Sequence, residues 1–216
     1  MSKQAYSMNI AGLDRNLPLC PISDKLKIGA FVIFGDPELT TACARELPLC
    51  PISDKLMIGA FVIFGDPELT ACAKALLARC PEHDVLITAE SKGIPLICEM
   101  ARLNGNERYV LARKAPKLYM RDVLSVEVRS ITTDHKQTLC LDGGDAEYMK
   151  GKRVVIVDDV ISTGESLRAL EALVEKAGGN IVGRMAILAE GDATKRGDII
   201  YLEKLPLFDN EGNPID

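Results

Sequence analysis

Residues 154–166 read VVIVDDVISTGES. An apolar run fit for a buried strand ends in two adjacent carboxylates, Asp158 and Asp159, and passes into a turn of small and hydroxyl residues. Thr163-Gly164 allow a tight turn, and Ser166 opens a helix. Successive backbone N–H groups over Ile161, Ser162, Thr163, Gly164, Glu165 and Ser166 point into one concavity and add to the helix dipole. Three hydroxyls, on Ser162, Thr163 and Ser166, supply further donors. Such a turn suits a dianionic phosphate monoester, and it is not a Walker A loop because no Gly-Lys-Ser/Thr is present. The carboxylates stand too near that anion to touch it without repulsion, so their natural partners are sugar hydroxyls one step away. A ribose 5-phosphate satisfies both halves.

Two other stretches fall where strands end. TAESKG (88–93) closes the run DVLITAE (84–90), and ARKAPK (112–117) closes RYVLARK (108–114). The latter gathers three cations, Arg113, Lys114 and Lys117, within five residues, either a solvated face or an anion site. These ends need a scaffold, and the chain alternates strand and helix patterns. IPLICEMARLNG (94–105) has helical spacing and an Asn-Gly stop. VLSVEVRSITT (123–133) and QTLCL (137–141) read as two antiparallel arms. KRVVIVDDV (152–160) is a buried strand, SLRALEALVEKAGG (166–179) an amphipathic helix, and IVGRMAILAE (181–190) a strand. That order argues for an α/β fold with a mainly parallel sheet flanked by helices, which binds ligands at the carboxyl ends of its strands.

VVIVDDVISTGES resembles the phosphoribosyl-diphosphate motif of the type I phosphoribosyltransferases, and the similarity runs from about Phe61 to Glu190. The resemblance implies that family's fold, with a small N-terminal hood and an antiparallel flexible arm over 117–142. It implies that Asp158 and Asp159 hold ribose hydroxyls and that Ile161 to Ser166 hold the 5-phosphate. Ser91, Lys92 and Gly93 match the diphosphate-binding turn, which in the family often contains a cis peptide. ARKAPKLY resembles the adenine-type branch, with Arg113, Lys114 and Lys117 on the diphosphate. The arm departs from that branch: RSITTD stands where Leu-Glu-Tyr-Gly is common, leaving Glu127, a few residues earlier, as the candidate carboxylate for proton movement. The implied reaction transfers ribose 5-phosphate from phosphoribosyl diphosphate to a purine, adenine first. Magnesium is bound mainly through substrate, with no protein metal site, and the chain is expected to be a homodimer. The alternative is a phosphoribosyl-diphosphate-binding regulator of the same fold without turnover. Phe61, Phe64 and Tyr119 are the aromatic candidates for stacking on a base, with core packing as the competing role.

Bulk properties fit a cytoplasmic protein. The net charge of −5 does not suggest a nucleic-acid surface, and no apolar run reaches the roughly 18 residues of a membrane span. Seven cysteines without a C-x-x-C pair read as reduced, packed side chains, and two histidines leave little for zinc or a histidine triad. Residues 17–40 and 47–70 are near copies, differing only at Lys27 and Met57. Only the second copy completes its helix, after Asp-Pro-Glu, and leads into the rest of the chain. The expected organisation is therefore a tail over 1–16, a surplus duplicated segment over 17–46, the phosphoribosyltransferase domain over 47–205, and a C-terminal tail over 206–216. Limited proteolysis should cut within 17–46 before the core; equal resistance of both regions would refute the assignment of a surplus copy.

Overall fold

The computed structural model describes residues 5–10, 13–23, 26–29, 49–53, 56–59, 67–118, 120–129, 136–209 and 213–215. Near the N-terminus, AYSMNI alternates apolar and polar residues and forms β1 (Ala5–Ile10), antiparallel to β2 (Leu13–Ser23). The span expected as a tail over 1–16 thus contributes a strand and the start of another. The two sequence copies form matching hairpins, β2 with β3 (Leu26–Gly29) and β4 (Leu49–Ser53) with β5 (Leu56–Gly59). They lie side by side in parallel, each residue opposite its own counterpart: Ile22 faces Ile52, Ile28 faces Ile58 and Gly29 faces Gly59. Phe61, Phe64 and the Asp66 cap lie outside the described residues, as does most of the strand expected over 58–64.

Helix α1 (Pro67–Leu77) begins at the proline whose fixed φ suits a first helical position. From there the chain builds a five-stranded sheet. Its strands are β6 (Val85–Ala89), β7 (Val110–Ala112), β10 (Arg153–Ile161), β11 (Asn180–Glu190) and β12 (Ile200–Leu205), all parallel, in the order β12-β11-β10-β6-β7. Helix α2 (Gly93–Asn104) carries β6 to β7, and α4 (Glu165–Lys176) carries β10 to β11. Between β7 and β10 lie the hairpin β8 (Leu124–Arg129) with β9 (Lys136–Leu141) and a short helix, α3 (Gly143–Met149). The sequence pattern does not reveal α3, which is seven residues long; Asp142 caps it by accepting the Gly144 N–H at 2.9 Å.

Apolar layers on both faces hold the sheet. Leu76, Leu96, Ile97 and Met100 of α1 and α2 pack on Leu86, Val155, Val157 and Met185. On the other face Leu167, Leu170, Leu173 and Val174 of α4 pack with Leu139, Leu141 and Met149 on Ile87, Val154 and Ile156. Alternate residues of β10 serve opposite layers, which is why its sequence is continuously apolar. Arg153 ties the amino end of β10 to β6 through a two-pronged pair with Asp84, at 2.8 and 3.1 Å. The last apolar run, IIYLEKLPLF (199–208), breaks at Pro206 because proline cannot donate to a ladder. β13 (Phe208–Asp209) instead joins β3, and Phe208 is fully buried, so the start of the span expected as a C-terminal tail is packed.

The crossovers leave β6 in one direction and β10 in the other. The sheet's topological switch point therefore lies between these two neighbouring strands, and their carboxyl ends flank the crevice. Among the described residues, no helix is long and apolar enough to cross a membrane.

Candidate active site

Asp158 and Asp159 lie near the carboxyl end of β10, which runs on to Ile161, and each is only 8% exposed. Asp158 Oδ1 accepts the Asp159 N–H at 2.9 Å and the Ser91 hydroxyl at 3.3 Å, and Ser91 Oγ accepts the Gly93 N–H at 3.3 Å. The turn after β6 and the acidic end of β10 are thus locked across the switch point. Gly93 is required by this approach. A Cβ there would stand 2.7 Å from the Thr88 hydroxyl and 3.1 Å from Asp158 Oδ1. The Thr88 hydroxyl is fully buried and has no hydrogen-bond partner among the described residues. Every peptide bond among the described residues is trans, including those at Ser91, Lys92 and Gly93.

Burial raises the pKa of Asp158, opposed by the Asp159 and Ser91 hydrogen bonds and by the charge of Lys114. Burial, and then the neighbouring Asp158 charge, pushes Asp159 well above the ordinary aspartate range, and Lys92 pulls it back. Lys92 and Lys114, from two different strand ends, are therefore the cations this pair feels.

The turn behind the pair forms a small concavity of about 50 Å³, lined by Asp158 and by Val160 to Leu167. Gly164 precedes α4 in the left-handed region, φ 74°, which other residues adopt only under strain. The Glu165 N–H points back to Thr163 Oγ1 at 3.4 Å, and the Arg168 guanidinium donates to the Thr163 carbonyl at 3.4 Å. The N–H groups of Ser162, Thr163 and Gly164 donate to no other described residue. The expected loop, Ile161 to Ser166, is thus brought together with Asp158.

The cations of the third strand end are held by a carboxylate that is not among the expected site residues. Glu90 follows β6 and donates its N–H to the Ala112 carbonyl at 2.7 Å. Its carboxylate accepts from Arg113 Nη1 and from the Lys114 N–H, both at 3.1 Å, and lies 3.3 Å from Lys117 Nζ. These contacts, led by the Lys114 N–H, lower its pKa. Parallel pairing of Ala89 with Ala112 places the next residues, Glu90 and Arg113, opposite each other, a register that neither strand's residues state alone.

Glu127 is carried by β8 in the two-stranded arm, not by a strand end of the parallel sheet. It sits on the exposed side of β8, where Leu124 and Val126 turn inward. The Ser125 carbonyl accepts from Lys176 at 2.8 Å, at the end of α4 opposite the loop. The hairpin itself is as expected, and Arg113 and Cys140 bridge its base to β7 by two 2.8 Å backbone bonds. Tyr119 lies outside the described residues.

Residues 66–215 match the model of the phosphoribosyl transferase domain. The chain belongs to that family. Among its relatives, a hypoxanthine/guanine phosphoribosyltransferase of Methanococcus voltae is 35% identical over 111 residues, 51% of this chain and 55% of that protein. An adenine phosphoribosyltransferase of Mycoplasma mycoides is 30% identical over 126 residues, 58% of this chain and 65% of that protein. The adenine phosphoribosyltransferase structure from Thermoanaerobacter pseudethanolicus superposes with a TM-score of 0.56 at 28% identity, covering 63% of this chain and 80% of that one. The chain therefore spans little more than half the length of the first of these relatives. Asp158, Asp159 and the turn over 161–166 lie within the matched residues and at the switch-point crevice.

The burial of Asp159 predicts a pH-dependent stability effect. Its folded-state pKa lies above the roughly 3.9 of an unfolded aspartate, so ionisation weakens the fold as pH rises through the folded value, and the penalty is absent below the unfolded one. Asp159→Asn should raise the melting temperature by about 2–6 °C at pH 8, with the gain vanishing towards pH 4. Calorimetric scans across that range would contradict this if the variant melted lower than the parent at pH 8.

Proposed function

We propose that the chain transfers the ribose 5-phosphate group of phosphoribosyl diphosphate to a purine base, adenine first, and releases diphosphate. The observation that carries this reading is a concavity lined by Asp158, the neighbour of the equally buried Asp159, and by a turn whose Ser162, Thr163 and Gly164 N–H groups donate to no other described residue. The 5-phosphate would sit against that turn, with Ser162, Thr163 and Ser166 as hydroxyl donors. Asp158 and Asp159 would accept from the ribose 2- and 3-hydroxyls. Anchoring the phosphate far from C1 uses remote binding to orient the reacting carbon.

The bond from C1 to the diphosphate oxygen breaks as the bond from a base nitrogen to C1 forms, and the base loses a proton. Charge accumulates on the leaving diphosphate. Lys92 at the first residue before α2, Arg113, and Lys114 and Lys117 beyond it would stabilise that charge electrostatically. Among the described residues no cluster of three or more His, Cys, Asp or Glu could hold a metal alone. The hard oxygens of Asp158 and Asp159 fit a magnesium ion carried with the sugar and diphosphate. Such an ion would supply further charge neutralisation at the leaving group. Adenine is favoured by ARKAPK and by the adenine-specific name of the superposed structure; hypoxanthine and guanine are the competing bases, as named for the methanogen relative. The thiols of Cys72, Cys80, Cys98 and Cys140, none of these four in a disulfide, suit a reducing compartment, and we assign the protein to the cytoplasm.

The test is a panel of adenine, hypoxanthine and guanine with phosphoribosyl diphosphate and magnesium, scored by diphosphate release. Turnover with adenine above the other bases is expected, and Asp158→Asn combined with Asp159→Asn should lower it by about a thousandfold or more while the variant stays folded. Binding of phosphoribosyl diphosphate without release for any base would mark a regulator instead.

A further inference from the structure

Glu90 engages the donors that an incoming diphosphate needs. One carboxylate oxygen takes Arg113 and lies within ion-pair distance of Lys117, and the other takes the Lys114 N–H. All three donors come from the segment just after β7, while Glu90 comes from the turn that continues into Ser91, Lys92 and Gly93. The contact therefore joins the two strand ends proposed to hold the leaving group. We infer that Glu90 is a resident counter-anion. In the free protein it occupies Arg113 and Lys117, yields them when diphosphate binds, and recaptures them as diphosphate leaves, so that it sets the affinity for the leaving group. It is a positioning residue, acting through the two cations and touching neither sugar nor base. This rests on the diphosphate site of the preceding section.

The charges make the exchange workable. Arg113, Lys114 and Lys117 carry three positive charges against one on Glu90, so a net attraction for a polyanion persists while the carboxylate is seated. Arg113, Lys117 and Glu90 are all partly exposed, with side chains 29%, 38% and 27% accessible. Pairs of that kind are weak enough to be displaced by a multiply charged ligand. The long Arg and Lys side chains, otherwise free to sample many rotamers, are meanwhile kept at the crevice. A carboxylate that only held them in place would strengthen diphosphate binding, whereas one that competes for them weakens it. The sign of the effect separates the two.

Titration calorimetry with inorganic diphosphate and magnesium chloride, at fixed ionic strength, tests this on the full chain. Glu90→Gln keeps an acceptor for the Lys114 N–H and removes the charge. It should bind diphosphate roughly three- to tenfold more tightly than the parent, with diphosphate becoming a correspondingly stronger product inhibitor. Glu90→Asp, which keeps the charge but withdraws it by one methylene, should shift affinity less, in the same direction. In a Lys117→Gln background the gain from Glu90→Gln should shrink, because one of the two captured cations is gone. Unchanged or weaker binding by both Glu90 variants overturns the inference while leaving the diphosphate site standing. Absence of binding by the parent chain overturns the site itself.

Discussion

Everything at the crevice depends on the burial of two adjacent carboxylates at the end of a parallel strand. Desolvation disfavours both charges, and the Asp158 charge further disfavours that of Asp159, so a chain selected for stability alone has little reason to keep Asp158 and Asp159 together. What makes the pair tolerable comes from the neighbouring strand end and beyond it. Ser91 donates to Asp158, Gly93 leaves room for the approach, and Lys92 and Lys114 lend opposite charge. The topological switch point is what permits this. Only there do the ends of β6 and β10 lie side by side with no crossover helix between them.

Around that pair the site is a set of strand ends with different chemical duties. The turn before α4 presents backbone N–H groups and hydroxyls. The turn before α2 presents Ser91 and Lys92. The segment after β7 presents cations, and Glu90 holds two of them across the gap. The turn after β6 thus supplies a donor to one acid and a carboxylate to the opposing cations. Charge is balanced across the crevice rather than within any one element.

Much of this was legible in the residues. The apolar run 154–157 and the amphipathic pattern of 166–179 marked β10 and α4 because each has a single strong period, and the Asp-Asp and Thr-Gly strings fell at the junction. The hairpin over β8 and β9 was legible for the same reason. Short elements were not: α3 depends on one Asp142 cap, and β1 on a six-residue alternation. Pro206 divided a run that hydropathy alone joins. The Glu90 contacts needed the β6–β7 register, which depends on how two strands align and is not written in either one. For Glu127 the resemblance proposed a role, but β8 is tied by Ser125 to the far end of α4, and nothing in the local sequence announces that tether. The repeated segment was visible as duplication, yet the side-by-side parallel pairing of β3 with β5 is a tertiary outcome.

The claim that the acidic pair and the turn behind it cradle a phosphorylated sugar is tested most directly by amide NMR of the labelled chain titrated with ribose 5-phosphate. The account predicts saturable shifts of the Ser162, Thr163 and Gly164 amides, together with those of Asp158 and Asp159, and much smaller shifts with ribose lacking the phosphate. Shifts confined to other surfaces, or none at concentrations that saturate a sugar-phosphate site, would contradict it.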